Sequence, residues 1–315
     1  MRSKHLVEAS AVKGKVIGSF NALLMAILIL FWGSSFVVVK AVLNEGLTPI
    51  AIATFRFLVA GGFFLLFLLL RKIKNRHYRL RVERNDVPNL VALSLLGITF
   101  FFAAQYTGIQ MAGPSIAAIL VCLVSPILIT TLSARMFGEH LSKRQILGVG
   151  VAAAGTLIVI AGGTLSFSGS SPLVGGLILL STPFLWAAYS LLGKKVMERN
   201  DAFLVVAYVN VLGGLFLVPF SAAEGSLGQA LTMSINSWAS ILCLALTCSV
   251  LGYYIWFHVL KNVEAAAASS FLFAEPLITV MLAVAFVNEQ LNWLTLCGGL
   301  LIFAGVYLVT KKQGK

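Results

Sequence analysis

Apolar residues run along this chain in long blocks, and polar residues are confined to the short breaks between them. Ten blocks are long enough to cross a bilayer, at approximately 20–42, 49–70, 89–110, 114–136, 145–163, 173–193, 202–221, 237–260, 265–287 and 291–310. A hydrocarbon core about 30 Å thick needs about 20 apolar residues of helix. The pattern therefore predicts an all-α integral membrane protein with ten transmembrane helices. Little sequence is left over for a separate soluble domain.

The blocks repeat. Residues 117–159 align with 267–309 without a gap at an offset of 150, and ten of the 43 positions are identical. The identities include Pro126/Pro276, Glu139/Glu289, Gly148/Gly298 and Gly155/Gly305, which apolar bias alone does not produce. Weaker correspondences extend the match: Trp32 with Trp186 and Lys40 with Lys194 at an offset of 154, and Gly61-Gly62 with Gly213-Gly214 at 152. The predicted organisation is a tail (1–19), a first five-helix repeat (20–163), a turn-rich connection (164–172), a second five-helix repeat (173–310) and a tail (311–315). Five is odd, so the second repeat enters the membrane in the opposite sense. Inverted repeats of this kind place a solute site near mid-bilayer, where the halves meet. The glycines at 148/155 and 298/305 each fall on one helix face and read as packing positions.

Charge settles the direction of threading. Hydrophobic residues make up 59% of the chain and charged residues 11%, well below the ~25% of a soluble domain. With the N-terminus placed in the cytoplasm, 21 of the 23 lysines and arginines fall on the inner side. Such a bias predicts that both termini are cytoplasmic and the protein sits in the cell membrane. The net charge of +12 thus reads as topology rather than a nucleic-acid surface, and the basic run Arg71–Arg84 as an anchor on an anionic leaflet. Cys122, Cys243, Cys248 and Cys297 lie inside predicted helices without zinc spacing and read as small buried hydrophobes. Neither metal nor cofactor is expected. The basic start and first apolar run resemble a signal peptide, but the run is of spanning length and lacks a clear cleavage site, so retention is expected.

Several segments together resemble a known family. LFWGSSFVVVK (Leu30–Lys40), TFRFLVAG (Thr54–Gly61), AAQYTGIQ (Ala103–Gln110), Pro126 followed by FGEHLS, and FAEPLITV followed by VNEQL are similar to the drug/metabolite transporter superfamily, EamA-type. The resemblance covers the chain after residue 20. It implies a ten-helix, five-plus-five carrier of small metabolites, often an amino-acid exporter. It also implies a central cavity lined mainly by the first four helices of each half.

Charged side chains inside hydrocarbon cost at least about 2.5–3.5 kcal/mol at a helix centre, so each calls for a partner or a wet cavity. Glu275 falls near the midplane of the ninth block, beside Pro276, which frees a backbone carbonyl and bends the helix. It suits an amine, a cation or proton exchange, or else it is a structural glutamate satisfied by neighbouring helices. Its repeat counterpart is Ser125; Pro126 is the matching kink. Arg56, in the second block, can hold a carboxylate, pair with Glu275 or snorkel outward. Its counterpart is Tyr208, a further candidate for the cavity lining. An opposite-charge pair suits a zwitterion, which favours amino acids over sugars.

Amphipathic rings and small polar groups mark further cavity candidates: Trp32 with Gly33, Ser34 and Ser35, Trp186 and Tyr189, Gln105 and Tyr106, and Tyr253, Tyr254 and Trp256. Interfacial belts collect such rings too. His258 reads as an interfacial residue or a proton relay, and Lys40 as snorkelling to the outer surface, with gating raised by the resemblance. Glu139 and Glu289 read as caps on the helix that follows each.

Together these features predict a secondary transporter moving an amino acid or related zwitterion, in the direction of export, by alternating access, with proton coupling permitted. The alternatives are a carrier of sugars, nucleobases or drug-like compounds, or a non-transporting scaffold. No HExxH, GxSxG, aspartate pair or P-loop is present, so an enzyme is not expected. Monomer and homo-oligomer both remain open at this level.

Overall fold

The computed structural model describes residues 18–78, 80–136, 143–166, 171–263 and 268–310. Glu139 lies outside them. The described backbone is helical apart from turns and short connections, and the helices are numbered here in chain order. The long ones are α1 (Ser19–Asn44), α2 (Pro49–Lys74), α3 (Val87–Ala112), α4 (Pro114–Met136), α5 (Lys143–Ser166), α6 (Ser171–Met197), α7 (Ala202–Ala223), α8 (Ile235–Asn262), α9 (Ser270–Val287) and α10 (Trp293–Thr310), with short helical turns at Arg84–Asp86, Ser226–Gly228 and Gln229–Thr232 between them. Among the described residues, six of them (α1, α2, α3, α6, α7 and α8) are long and apolar enough to cross a membrane. Shorter apolar runs lie in α4, α5, α9 and α10.

Local chemistry sets the ends. Thr48 caps α2 by accepting from the Ala51 amide at 3.2 Å, and Pro49 opens the helix where no amide partner is needed. Asp201 caps α7 through the Leu204 amide at 2.9 Å, and Ser234 caps α8 through Ser237 at 3.0 Å. One end of the bundle is tied by Glu45, which accepts from the Ser234 and Ser237 hydroxyls, and by Thr48, whose hydroxyl donates to Glu224 at 3.0 Å. The end where α1 begins is strapped by Tyr78 donating to Asp201 at 2.9 Å and by Asn200 donating to Asp86 at 2.7 Å.

The largest helix contacts keep their pattern when each helix is exchanged for the one five places along, while α4–α10 and α5–α6 have no comparable counterpart among the described residues. The principal pairings include α5 with α10, α2 with α7 and α4 with α9; α1 lies on α9 and α8 as α6 lies on α4 and α3. Glycines permit the closest approach. A Cβ on Gly155 would lie 2.6 Å from the carbonyl oxygen of Gly298, and one on Gly305 would lie 2.5 Å from that of Gly148. The α5–α10 seam is thus backbone against backbone, as the spacing of these glycines predicts.

Both α3 and α8 contain a π-helical turn, at Leu95–Phe100 and Leu244–Leu251, nearly the same place at an offset of 150. Such turns leave the ordinary backbone register and cluster at functional sites. The prolines differ. Pro126 lies inside α4, which runs through it as one helix, whereas Ser270–Ala274 is 3-10 helix and the α-helical turns begin at Glu275-Pro276. Nor is α1 broken at Gly33-Ser34-Ser35, because both hydroxyls donate back to carbonyls one turn earlier, at 3.0 and 2.7 Å. Two cysteine expectations are corrected: Cys122 and Cys248 are buried, but Cys243 and Cys297 are exposed on the helix surface. A cysteine there meets lipid tails as comfortably as protein interior.

Candidate functional site

A cavity with a water-accessible volume of about 50 Å³ lies where α1, α2, α3, α4, α6, α8 and α9 meet. Its charged lining consists of Arg56 and Glu275. Polar groups come from Ser35, Gln105 and Ser125, and ring walls from Trp32, Trp186, Tyr253, Phe101 and Phe102. Phe36, Val121, Cys122 and Leu272 complete it.

Arg56 is 2% exposed. Its Nε donates to the Ser249 hydroxyl at 2.9 Å, and Nη1 donates to the Tyr106 hydroxyl. The guanidinium carbon lies 4.7 Å from the Phe102 ring centroid and 5.1 Å from that of Phe57. Ring faces and neutral hydroxyls offset part of the cost of burying the cation, but they leave its charge uncancelled. Among the described residues no carboxylate lies within 4.0 Å of it, so the Arg56–Glu275 ion pair is not formed. Nor does Arg56 snorkel, since its donors are engaged inside the bundle.

Glu275 is 3% exposed and stands at the first turn of the α-helical part of α9, where a helix N-terminus favours a carboxylate. Oε2 accepts from the Cys122 thiol at 3.1 Å, and Oε1 has no partner among the described residues. A buried acceptor left unpaired costs about 1–3 kcal/mol. The carboxylate therefore has capacity for a donor that the described residues do not supply.

Trp32 and Trp186 meet edge to face with centroids 5.3 Å apart. Around them pack Tyr253, Trp256 and Tyr189, the last lying 5.4 Å from Trp186. The indole N–H of Trp32 donates to the Cys248 carbonyl at 3.0 Å, so the π-turn of α8 holds Trp32 through one residue and Arg56 through the next. Glycines make room. A Cβ on Gly252 would lie 2.5 Å from Trp32 Nε1, and one on Gly97 would lie 2.2 Å from the Tyr189 ring.

Of the residues expected from sequence, Trp32, Ser35, Arg56, Gln105, Trp186, Tyr253 and Glu275 come together on this cavity. Tyr106 orients Arg56 from behind; Tyr189 and Trp256 back the aromatic wall without lining it. Tyr208 does not reach the cavity: its hydroxyl donates to the Leu80 carbonyl at 2.7 Å, fixing the α2–α3 connection. His258 does not line it either and packs beside Tyr254, with ring centroids 5.9 Å apart. Sequence reasoning missed Phe101, Phe102, Cys122 and Ser249. Phe101 and Phe102 stand four and three residues before Gln105, and Cys122 three before Ser125, so helical spacing from the polar positions would have found them.

A second depression, about 530 Å³, opens at the end opposite the start of α1 and includes Lys40, Gln110, Asn288 and Glu289. Glu289 accepts from the Ser115 amide at 3.3 Å and the Ser115 hydroxyl at 2.5 Å. It thus caps α4, not the following helix α10, because Asn288 turns the chain through a left-handed conformation (φ 53°) toward α4.

The model of the EamA-like transporter family matches this sequence twice, over residues 19–161 and 173–311. The chain belongs to that family. An uncharacterized transporter of Archaeoglobus fulgidus is 31% identical over 92% of this EamA-like chain and 97% of its own length. Two probable amino-acid metabolite efflux pumps, from Salmonella typhimurium and Escherichia coli, are each 26% identical over 91% of the EamA-like chain and 94% of theirs. A crystal structure with a TM-score of 0.63 and 18% identity, covering 92% of this chain and 97% of its own, shares the fold. The chain is thus a multi-pass membrane protein of a transporter family, and its family and relatives point away from an enzyme.

Proposed function

We propose that this protein is a secondary transporter of amino acids or closely related zwitterions, working in the direction of export across the cytoplasmic membrane. The observation that carries this reading is the presence of Arg56 and Glu275, both buried, on one cavity without being paired to each other. A solute with a carboxylate and an amine completes both ends at once. Arg56 takes the carboxylate as a preorganised fork, and Oε1 of Glu275 takes the ammonium. Trp32, Trp186, Tyr253, Phe101 and Phe102 enclose the remainder and keep water out, which strengthens both ionic contacts.

The ten-helix, inverted-repeat reading is part of the proposal. Three observations support it: the two family matches, the helix pairing that survives exchange of the halves, and the paired π-turns. Trp32 and Trp186 touching each other supports it further, because equivalent residues that meet lie near the axis relating the halves. On this reading both termini are cytoplasmic, and alternating access comes from rocking one half against the other. Glu275 is also the group we assign to proton exchange, when the amine has left.

The test is reconstitution in vesicles with a panel of labelled amino acids, comparing wild type with Arg56→Gln and Glu275→Gln and applying or omitting a pH gradient. Wild type moves at least one panel member faster than empty vesicles, and each variant loses at least tenfold. A wild type no faster than empty vesicles for every member overturns the amino-acid assignment.

A further inference from the structure

Trp186 is the wall of the cavity on its α6 side, and three buried donors lie against it. The Tyr189 ring is 5.4 Å from it, Trp256 5.6 Å and Tyr253 6.1 Å. All three residues are at most 1% exposed. The Tyr189 hydroxyl, the Tyr253 hydroxyl and Trp256 Nε1 each lack a hydrogen-bond partner among the described residues. Buried polar groups in folded proteins are paired with few exceptions. Three exceptions around one ring call for an occupant.

The two tryptophans are held differently. Trp32 is tethered by its bond to the Cys248 carbonyl, whereas Trp186 makes no hydrogen bond among the described residues and packs against the rings of Trp32, Phe101, Tyr189, Tyr253 and Trp256. Tyr189 is fixed from behind by Gly97, where even a methyl group would collide with its ring. Turning Trp186 breaks no hydrogen bond among the described residues, whereas turning Trp32 breaks one.

We infer that Tyr189, Tyr253 and Trp256 form a second station for the solute, which takes its carboxylate after Trp186 has swung aside. The chemistry follows from the donor set. The set offers two hydroxyls and an indole N–H around one ring, and the indole N–H can only donate, so the group that satisfies all three as donors is a carboxylate or comparable oxyanion. Tyr253 belongs to both the cavity lining and this set, which makes it the handover residue. The station rests on the transport reading above and adds to it a defined intermediate position on the α6–α8 side of the cavity.

The experiment uses Tyr189→Phe and Trp256→Phe, neither of which lines the cavity, with labelled L-alanine, L-threonine and L-leucine as probes. Equilibrium binding of the best of the three stays within twofold of wild type, while its translocation in vesicles slows at least tenfold. As a measure independent of any solute, hydroxyl-radical footprinting of the wild type modifies Tyr189 and Trp256, as water in the station requires. Wild-type translocation rates in both variants overturn the station, as does a dry pair of rings resisting oxidation. Equal loss of binding and thermal stability also overturns it and assigns the rings a structural role. If wild type itself neither binds nor moves any of the three, the transport reading falls and the station with it.

Discussion

Trp32 and Cys248 join α1 to α8 through a hydrogen bond from the indole N–H to the main-chain carbonyl of the π-turn, beside the bond from the Cys248 thiol to the Phe31 carbonyl. Gly252 stands beside the indole bond, with space for a hydrogen but not for a methyl group. Replacing Gly252 with Ala is expected to displace the indole and strand a buried carbonyl, a loss of about 1–3 kcal/mol. Thermal unfolding in detergent reads the loss directly. Gly62→Ala is the comparison, because nothing lies within 4 Å of its new methyl group, and it is expected to leave unfolding unchanged or slightly raised.

Arg56→Lys keeps the charge and removes the fork. A lysine ammonium cannot hold Ser249 and Tyr106 in the guanidinium plane while presenting paired donors to a carboxylate. Solute affinity is expected to fall at least tenfold in an equilibrium binding assay, about 1.4 kcal/mol or more. Ser249→Ala, which frees only Nε, is expected to weaken binding by less. Equal affinity in Arg56→Lys and wild type would place the carboxylate elsewhere.

Glu275→Gln separates recognition from architecture. The amide retains the shape and removes a buried negative charge, so thermal stability is expected to hold or rise. Binding of an amino acid should drop at least tenfold, while a des-amino analogue of the same solute should bind wild type and variant alike. A variant that unfolds early yet binds normally would make Glu275 a structural residue.

The α5–α10 seam gives a prediction remote from the cavity. Gly155→Val pushes a branched side chain into the Gly298 carbonyl and the Ile302 amide, 2.6 and 2.7 Å from the Cβ position. Forcing such a crossing apart is expected to cost about 1–3 kcal/mol. A valine at Gly150, where the new Cβ has open space, should cost far less. Melting curves of the two proteins make the comparison.

Glu289 gives a pH dependence. Partial burial raises its carboxyl above the ordinary range, against the opposing pull of the Ser115 hydroxyl and amide and of Lys40. The folded chain therefore takes up this proton at a higher pH than the unfolded chain does. Stability contributed by the group is largest at and below the ordinary carboxylate value of about 4.5 and declines as pH rises through the raised value. Glu289→Gln should remove that slope. Unfolding temperatures measured across mildly acidic to neutral pH decide it, and identical slopes in both proteins would refute the assignment.

The helices and most of the cavity were legible in the sequence because membrane chains separate their signals cleanly. Polar groups inside apolar blocks are costly, so Arg56, Glu275, Gln105 and Ser35 announced themselves, and all four face one space. Tyr208 misled for the same reason: a tyrosine in an apolar block signals a polar neighbour without saying which, and here the neighbour is the Leu80 carbonyl. The π-turns were invisible because their residues, such as LLGITF, are compatible with ordinary helix. In α8 the turn's Cys248 and Ser249 find their partners on other helices, a tertiary relation that the local sequence does not display. Phe101 and Phe102 carry no polar mark and could be placed only through their spacing from Gln105. The target of Glu289 depended on a left-handed residue at Asn288, which local sequence did not reveal.

Ser125 and Glu275 occupy matching places in the two halves, and both look into the same space. One wall thus carries an alcohol and the other an acid. On the proposed transport reading, a passenger turned end for end meets a different reception, and the lining selects a single boarding orientation.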